Sequence, residues 1–228
     1  MTDTARIADR LARDGLALRG GFHPNETDTV PRDGRNGPPR TVLLVGVIGR
    51  STWDAFQAGR SDTENPLDDW TRSVVDPLAR DEAAIAIYPN DKPFWPFQQW
   101  AKRSEPVSES PLGLLIHPRY GLWHAYRAAL VFADRLVVPQ QLSAQSPCET
   151  CADRPCLRTC PVGAFTEQGF NVAACAGHLV EPPGRLCLQG GCAARDACPV
   201  GQDYRYDEPQ IRFHMAAFGR SVASVRST

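Results

Sequence analysis

The chain has 228 residues, of which 42% are hydrophobic and 22% charged, with a formal net charge of −1. That composition is ordinary for a soluble globular protein, and the length suffices for one sizeable core plus a small appendage. The near-neutral balance removes the global basic field of a general nucleic-acid or anionic-membrane binder, and no apolar run approaches the ~20 residues that span a bilayer.

In chain order, residues 4–14 form an amphipathic helix, with Ala5, Ile7, Ala8, Leu11 and Ala12 on one face. This is not the apolar core of a signal peptide, so the expected compartment is the reducing cytoplasm, where structural disulfides are uncommon. A loop rich in Gly, Pro, Asn and Arg runs to Pro39. Residues 41–48, TVLLVGVI, are a continuous β-branched run and predict a buried strand. Ser51 or Thr52 can cap a short helix through Gln57. Residues 65–80 predict a helix entered at Asn65 with Pro66 in its first position, and Pro77 kinks it or marks its last turn. A strand follows at 83–88, then an aromatic, proline-punctuated stretch at 89–103. Residues 112–117 and 123–132 predict two strands joined by a turn at 118–121, an antiparallel hairpin, with a short fifth strand at 136–138. The region 148–200 reads as loop-rich, and residues 207–218 as a closing helix. This irregular alternation indicates an α+β fold rather than a doubly wound one. No GxGxxG or P-loop sequence is present.

All eight cysteines lie between Cys148 and Cys198, so one local device follows a cysteine-free domain. The first group, Cys148-x2-Cys151-x4-Cys156-x3-Cys160-Pro161, follows the C-x2-C-x2-C-x3-C-P run of two-cluster ferredoxins with two extra residues in one gap. Cys175, Cys187, Cys192 and Cys198 remain, and both Cys-Pro pairs continue as Pro-Val-Gly. A cubane cluster offers four iron corners, each requiring a thiolate. A short loop wraps three of them, and a distant Cys-Pro supplies the fourth. The two-cluster pattern assigns Cys148, Cys151, Cys156 and Cys198 to one [4Fe-4S] cluster, and Cys160, Cys175, Cys187 and Cys192 to a second. Two zinc sites would use the same residues, although zinc knuckles favour paired CxxC units and only Cys148/Cys151 has that spacing.

The module resembles the C-terminal iron–sulfur part of epoxyqueuosine reductase, in which a comparable first group, a lone cysteine and a second group hold two [4Fe-4S] clusters. The lone cysteine here sits in NVAACAGHL, residues 171–179. Upstream, residues 114–129 read LLIHPRYGLWHAYRAA. This resembles the IHPRFGGWFAIRG run of the cobalamin-processing proteins of the methylmalonic aciduria and homocystinuria type C family. The matching residues are Ile116, His117, Pro118, Arg119, Tyr120, Gly121, Trp123, Ala125 and Arg127. Residues 42–47 echo that family's first core strand. Tyr88-Pro89-Asn90 with Lys92-Pro93 echoes its HPN-x-RP segment. The resemblance spans residues 40–138.

It implies a flavin-reductase-like (nitroreductase-related) domain with an antiparallel sheet, which binds cobalamin and removes its upper ligand reductively. His117, Arg119, Trp123 and Arg127 become candidate corrinoid contacts, with Phe94, Trp95, Phe97, Trp100 and Tyr126 as aromatic wall. Packing for the aromatics and turn satisfaction for His117 are the competing readings. No residue demands a flavin. The family's glutathione-binding region has no counterpart, and the cysteine module stands in its place. The expected organisation is a corrinoid-binding-like domain at 1–145, a ferredoxin-like iron–sulfur module at 146–203, and a helix and tail at 204–228. The expected partners are a corrinoid small molecule and an upstream electron donor, with no nucleic acid and no membrane. The oligomeric state stays open. The implied activity is reduction of cobalamin or reductive removal of its upper ligand. The alternatives are a ferredoxin-like electron carrier and a zinc-stabilised interaction module.

Overall fold

The structure, a computed structural model, describes residues 4–32, 37–138 and 144–225; parts of the expected loop before Pro39 and of the C-terminal tail lie outside these. In chain order its elements are α1 (Thr4–Ala12), β1 (Ala17–Phe22), β2 (Thr41–Ile48), α2 (Trp53–Gly59), α3 (Pro66–Asp81), β3 (Ile85–Ile87) and α4 (Phe97–Ser104). There follow β4 (Ser108–Glu109), β5 (Leu115–Ile116), β6 (His124–Phe132), β7 (Phe165–Thr166), β8 (Gly169–Phe170), α5 (Val172–Val180), α6 (Arg185–Gly190), α7 (Ala193–Asp196) and α8 (Glu208–Val225). The fold is thus mixed, helices with antiparallel sheet. No helix among the described residues is long and apolar enough to cross a membrane.

The chain divides into two compact units: Met1–Pro106 with His124–Ser143, and Val107–Trp123 with Ala144–Thr228. The expected organisation cuts the chain twice, after residues 145 and 203. The contacts instead gather the IHPRYGLW segment with the cysteine region.

The first unit is built on a four-stranded antiparallel sheet in the order β1-β2-β6-β3. β2 lies between two partners, so both its faces must be apolar, and every residue from Thr41 to Val47 is buried. α1 buries Ile7 and Leu11, four residues apart on one helical face. Its turn into β1 needs Gly15, at φ 72°, because a Cβ there would stand 1.7 Å from the Ser51 carbonyl oxygen. α3 begins at Asn65 and Pro66 as the sequence indicates and carries Pro77 inside it.

Three strand expectations change. Residues 17–22 form β1, where a loop was expected. Its sequence ALRGGF hides the strand, because Arg19 is buried within it and Gly20–Gly21 breaks the apolar pattern. The hairpin of residues 112–132 does not form. β6 already bonds β2 on one edge and β3 on the other, while β5 pairs with β4. What remains is a single antiparallel bridge, His117 to Gly121, closing the turn. Residues 136–138 form no strand. There the Leu136 N–H donates to Thr41 Oγ1 at 2.9 Å, and its carbonyl lies 2.9 Å from His23 Nε2.

In the second unit no strand exceeds two residues. Its buried side chains gather in small groups. Leu112, Ile116, Leu122, Phe165, Ala194 and Cys198 form one, with Cys148, Cys156, Cys160 and Cys192 packed against it. Ala176, Leu179 and Val222 form another, against Cys175 and Cys187.

Candidate functional site

The eight cysteines are free thiols, half-buried except for Cys198, which is buried. Burial raises the pKa of Cys148, and its next causes are the neighbouring thiols Cys198, Cys156 and Cys151. Cys156 is raised by burial and by Cys198 and Cys151, and Cys198 by burial and Cys151. A second neighbourhood surrounds Cys175, which burial, Cys192, Cys160 and Cys187 push up to about 11. Cys187 is raised by burial, Cys192 and Cys160. Burial raises Cys192 as well, with Cys160 adding to it. None of these effects crosses between the sets. As electrostatic neighbours the thiols fall into Cys148, Cys151, Cys156 and Cys198, and into Cys160, Cys175, Cys187 and Cys192. Among the described residues, no three His, Cys, Asp or Glu side chains stand close enough to hold a single metal ion.

The loops aim backbone N–H groups at these sulfurs. Ala164 N–H donates to Cys160 Sγ at 3.3 Å. The backbone N–H groups of Arg195 and Ala194 favour the Cys192 thiolate, that of Val200 the Cys198 thiolate, and that of Leu157 the Cys156 thiolate. Such donors favour the thiolate and tune whatever metal it binds. Against them, burial and mutual repulsion raise Cys148, Cys156, Cys175, Cys187, Cys192 and Cys198, so any metal these thiols bind must displace protons. Ser146 ties the first loop to β4, its Oγ accepting from Ser108 Oγ at 2.7 Å and from Cys148 N–H at 3.4 Å.

The turn at 117–121 packs back to back on the Cys198-Pro199-Val200-Gly201 turn. Gly121 has φ 57°, and a Cβ there would lie 1.9 Å from Val200 O. Gly201 has φ 75°, and a Cβ there would lie 2.3 Å from the Tyr120 carbonyl carbon. Only glycine allows this approach. His117 is 9% exposed. Its Nδ1 accepts the backbone N–H groups of Arg119 at 3.0 Å and Tyr120 at 3.3 Å, which leaves Nε2 to carry the ring proton. Its ring stacks on Tyr120 at 4.2 Å. Arg119 is exposed and donates from Nε to Tyr204 Oη at 2.8 Å. Trp123, 3% exposed, meets Tyr206 edge to face at 5.3 Å, and its Nε1 is buried without an acceptor.

His117, Arg119 and Trp123 thus share the second unit, whereas Arg127 lies on β6 in the first. Arg127 stands 3.9 Å from Asp68, and its Nε is also buried without an acceptor. Around it runs a polar chain. Asp68 accepts from Asn90 at 3.2 Å, Arg72 donates to Asp91 at 2.5 Å, and Tyr88 Oη donates to Asp76 at 2.5 Å. Burial and then the Asp76 hydrogen bond hold the Tyr88 phenol protonated, well above its ordinary pKa. Of the expected aromatic wall, Phe97 and Trp100 are core residues, Trp100 touching Phe22, Trp95 and Phe97. Phe94 is exposed, with Lys92 Nζ 3.6 Å from its ring centroid.

Sequence reasoning missed a buried network in the first unit. Arg19, 1% exposed, forms a two-pronged pair with Glu105 at 2.8 and 2.7 Å, and Tyr126 Oη donates to the same carboxylate at 2.7 Å. The signal available was an arginine inside an otherwise apolar segment. Among the described residues, two concavities are lined by none of these side chains, although the second adjoins the group that Cys175 and Cys187 pack against. One sits at the sheet edge beside Ile85 and Val131, and one between α5, α6 and α8 has about 210 Å³ of room.

No protein-family model matches the sequence, and no curated protein matches it. Solved structures do. The C. elegans B12-trafficking protein CblC, a homologue of human MMACHC, aligns over 96% of this chain and 91% of its own, with 14% identity and a TM-score of 0.51. An epoxyqueuosine reductase bound to an epoxyqueuosine-modified tRNA-Tyr stem loop aligns over 92% of this chain and 68% of its own, with 13% identity and a TM-score of 0.51. A selenomethionine-labelled epoxyqueuosine reductase aligns over 76% of this chain, with 14% identity and a TM-score of 0.48. This chain spans 52% of that structure's length. At such identities the likeness is one of fold.

Proposed function

We propose that the chain is an iron–sulfur redox protein that carries two [4Fe-4S] clusters and passes electrons to a corrinoid, reducing cobalamin or reductively removing its upper ligand. What supports this reading is that the eight thiols influence one another's titration as two sets of four, with no influence crossing between the sets. Cys148, Cys151, Cys156 and Cys198 hold one cluster, and Cys160, Cys175, Cys187 and Cys192 the other. The donor chemistry fits: thiolates suit iron–sulfur clusters, and each set is surrounded by N–H groups that sulfur can accept. A bound cluster supplies single electrons at a potential that hydrogen bonds and burial tune.

The chain's own part is to bind, orient and connect. The N–H groups of Ala164, Ala194, Arg195 and Val200 stabilise thiolate sulfur. Gly121 and Gly201 hold the His117 turn against the loop that carries Cys198. His117 fixes that turn through Nδ1. Arg119, held by Tyr204, offers an exposed cation to amide or phosphate oxygens. The CblC-like fold supports a corrinoid as substrate, and the buried unpaired donor of Trp123 is of the type that a peripheral amide oxygen satisfies. An upstream electron donor must reload the clusters.

The test is an anaerobic titration of reconstituted protein with cobalamin, followed by absorbance. The expected result is a saturable corrin band shift, and reoxidation of dithionite-reduced clusters when cob(III)alamin is added. Cluster reduction without any corrin band shift would leave a ferredoxin-like carrier instead.

A further inference from the structure

The short helix α7 runs between the two thiol sets. Cys192, of the second set, is its N-terminal flanking residue, and Cys198, of the first, follows the C-terminal flanking residue Ala197. The arginine of that helix, Arg195, is held on several sides. Its guanidinium donates to the Leu122 carbonyl at 2.7 Å. The guanidinium carbon lies 4.2 Å from the Trp123 ring centroid and 4.9 Å from that of Tyr206, so one planar cation contacts two aromatic rings. Its Nε is buried and has no acceptor. Its backbone N–H and its charge both favour the Cys192 thiolate.

The charges around it sharpen the asymmetry. Asp196 is paired with Arg205, whose guanidinium carbon lies 5.9 Å from Trp123. Near the first set, Arg154 is paired with Glu167 at 3.2 Å and Arg158 with Asp153 at 3.8 Å. Arg195 has no carboxylate within ion-pair distance among the described residues. Its charge is therefore uncompensated on the Cys192 side.

We propose that Arg195 is a positioning residue for the second cluster, fixing Cys192 against the Leu122–Trp123 end of the turn and setting a positive charge that raises this cluster's potential above the first. The inference rests on the two-cluster reading above. Reduction adds one negative charge to a cluster, and a half-buried cation stabilises the reduced form more than the oxidised one. A loaded second set also offers sulfur acceptors to the orphaned Nε–H. Lysine would keep the charge and lose the planar stack, whereas methionine would keep the apolar contact and lose the charge.

The experiment is a redox titration by EPR on anaerobically reconstituted wild type, Arg195→Lys and Arg195→Met. Cys148→Ala and Cys187→Ala identify which signal belongs to which set. The expected result is a full iron complement in all three proteins. In Arg195→Met the second cluster should be about tenfold less reduced at the wild-type midpoint, equivalent to about 59 mV for a one-electron couple. The first cluster should not move. Arg195→Lys should shift the second cluster the same way by less, because its ammonium is not held by the two rings. If Arg195→Met loses iron, Arg195→Lys decides alone: a shift confined to the second cluster supports the proposal, and no shift overturns it. Equal movement of both clusters, or none in either variant, overturns it while the two-cluster reading stands. Wild-type protein without iron overturns both.

Discussion

In the first unit a nine-residue strand, β6, is hydrogen-bonded on both edges and its last five residues are buried. In the second unit every strand has two residues, and two of the buried groups include or touch cysteine. One unit is held by apolar burial between sheet and helices. The other has little regular structure to bury, and its thiols occupy positions where a larger domain would place leucines. That difference teaches where metal enters the folding equilibrium. On the two-cluster proposal the cysteine-free unit needs no metal, whereas in the second unit metal binding and folding would be coupled.

The largest predicted effect breaks the comparison at the metal. Cys198→Ala should lower iron from about eight to about four per chain. Stripping all iron with a chelator should abolish hydrogen-exchange protection in residues 107–123 and 144–225 while the four-stranded sheet stays protected. Loss of protection in both units together would contradict the division of labour. Next, Trp100→Ala, at a position 1% exposed, should destabilise the first unit by roughly 3–5 kcal/mol in denaturant unfolding, with iron content unchanged. Gly121→Ala should cost the second unit roughly 2–4 kcal/mol, because a left-handed backbone and a clash with Val200 coincide. A melting curve of the holoprotein, read against Gly37→Ala, whose Cβ meets nothing within 4 Å, separates the clash from the backbone term.

The smallest effect lies in the first unit and depends on pH. Burial pushes the Asp28 carboxyl up, but the Arg103 hydrogen bond and charge outweigh it and hold its pKa below the usual range. A carboxyl lowered in the folded state contributes stability above its unfolded pKa, about 3.9, and loses it as pH falls through the folded value. Asp28→Asn should therefore cost about 1 kcal/mol at neutral pH. The gap from wild type should close in acid.

Much of this arrangement was legible beforehand. β2 could be read because seven buried residues in a row leave no ambiguity of period. The crossed cysteine grouping is an expectation from the Cys-Pro pairs at both ends of the module, and the titration neighbours of the thiols agree with it. β1 could not, since Arg19 is buried by pairing with Glu105, 86 residues away, and no local pattern records such a partner. The 112–132 hairpin was misread for a related reason: strand pairing is decided by which edges are free, and β6 had none. The partnership of Gly121 with Gly201 was equally hidden, because two positive-φ glycines 80 residues apart carry no mark of facing each other.

The most direct test of the central claim is iron, zinc and acid-labile sulfide analysis of anaerobically purified protein, with EPR before and after dithionite. The account predicts about eight irons and eight sulfides per chain, with cluster signals appearing on reduction. About two zincs with no iron or sulfide would contradict it and make the cysteines a structural scaffold.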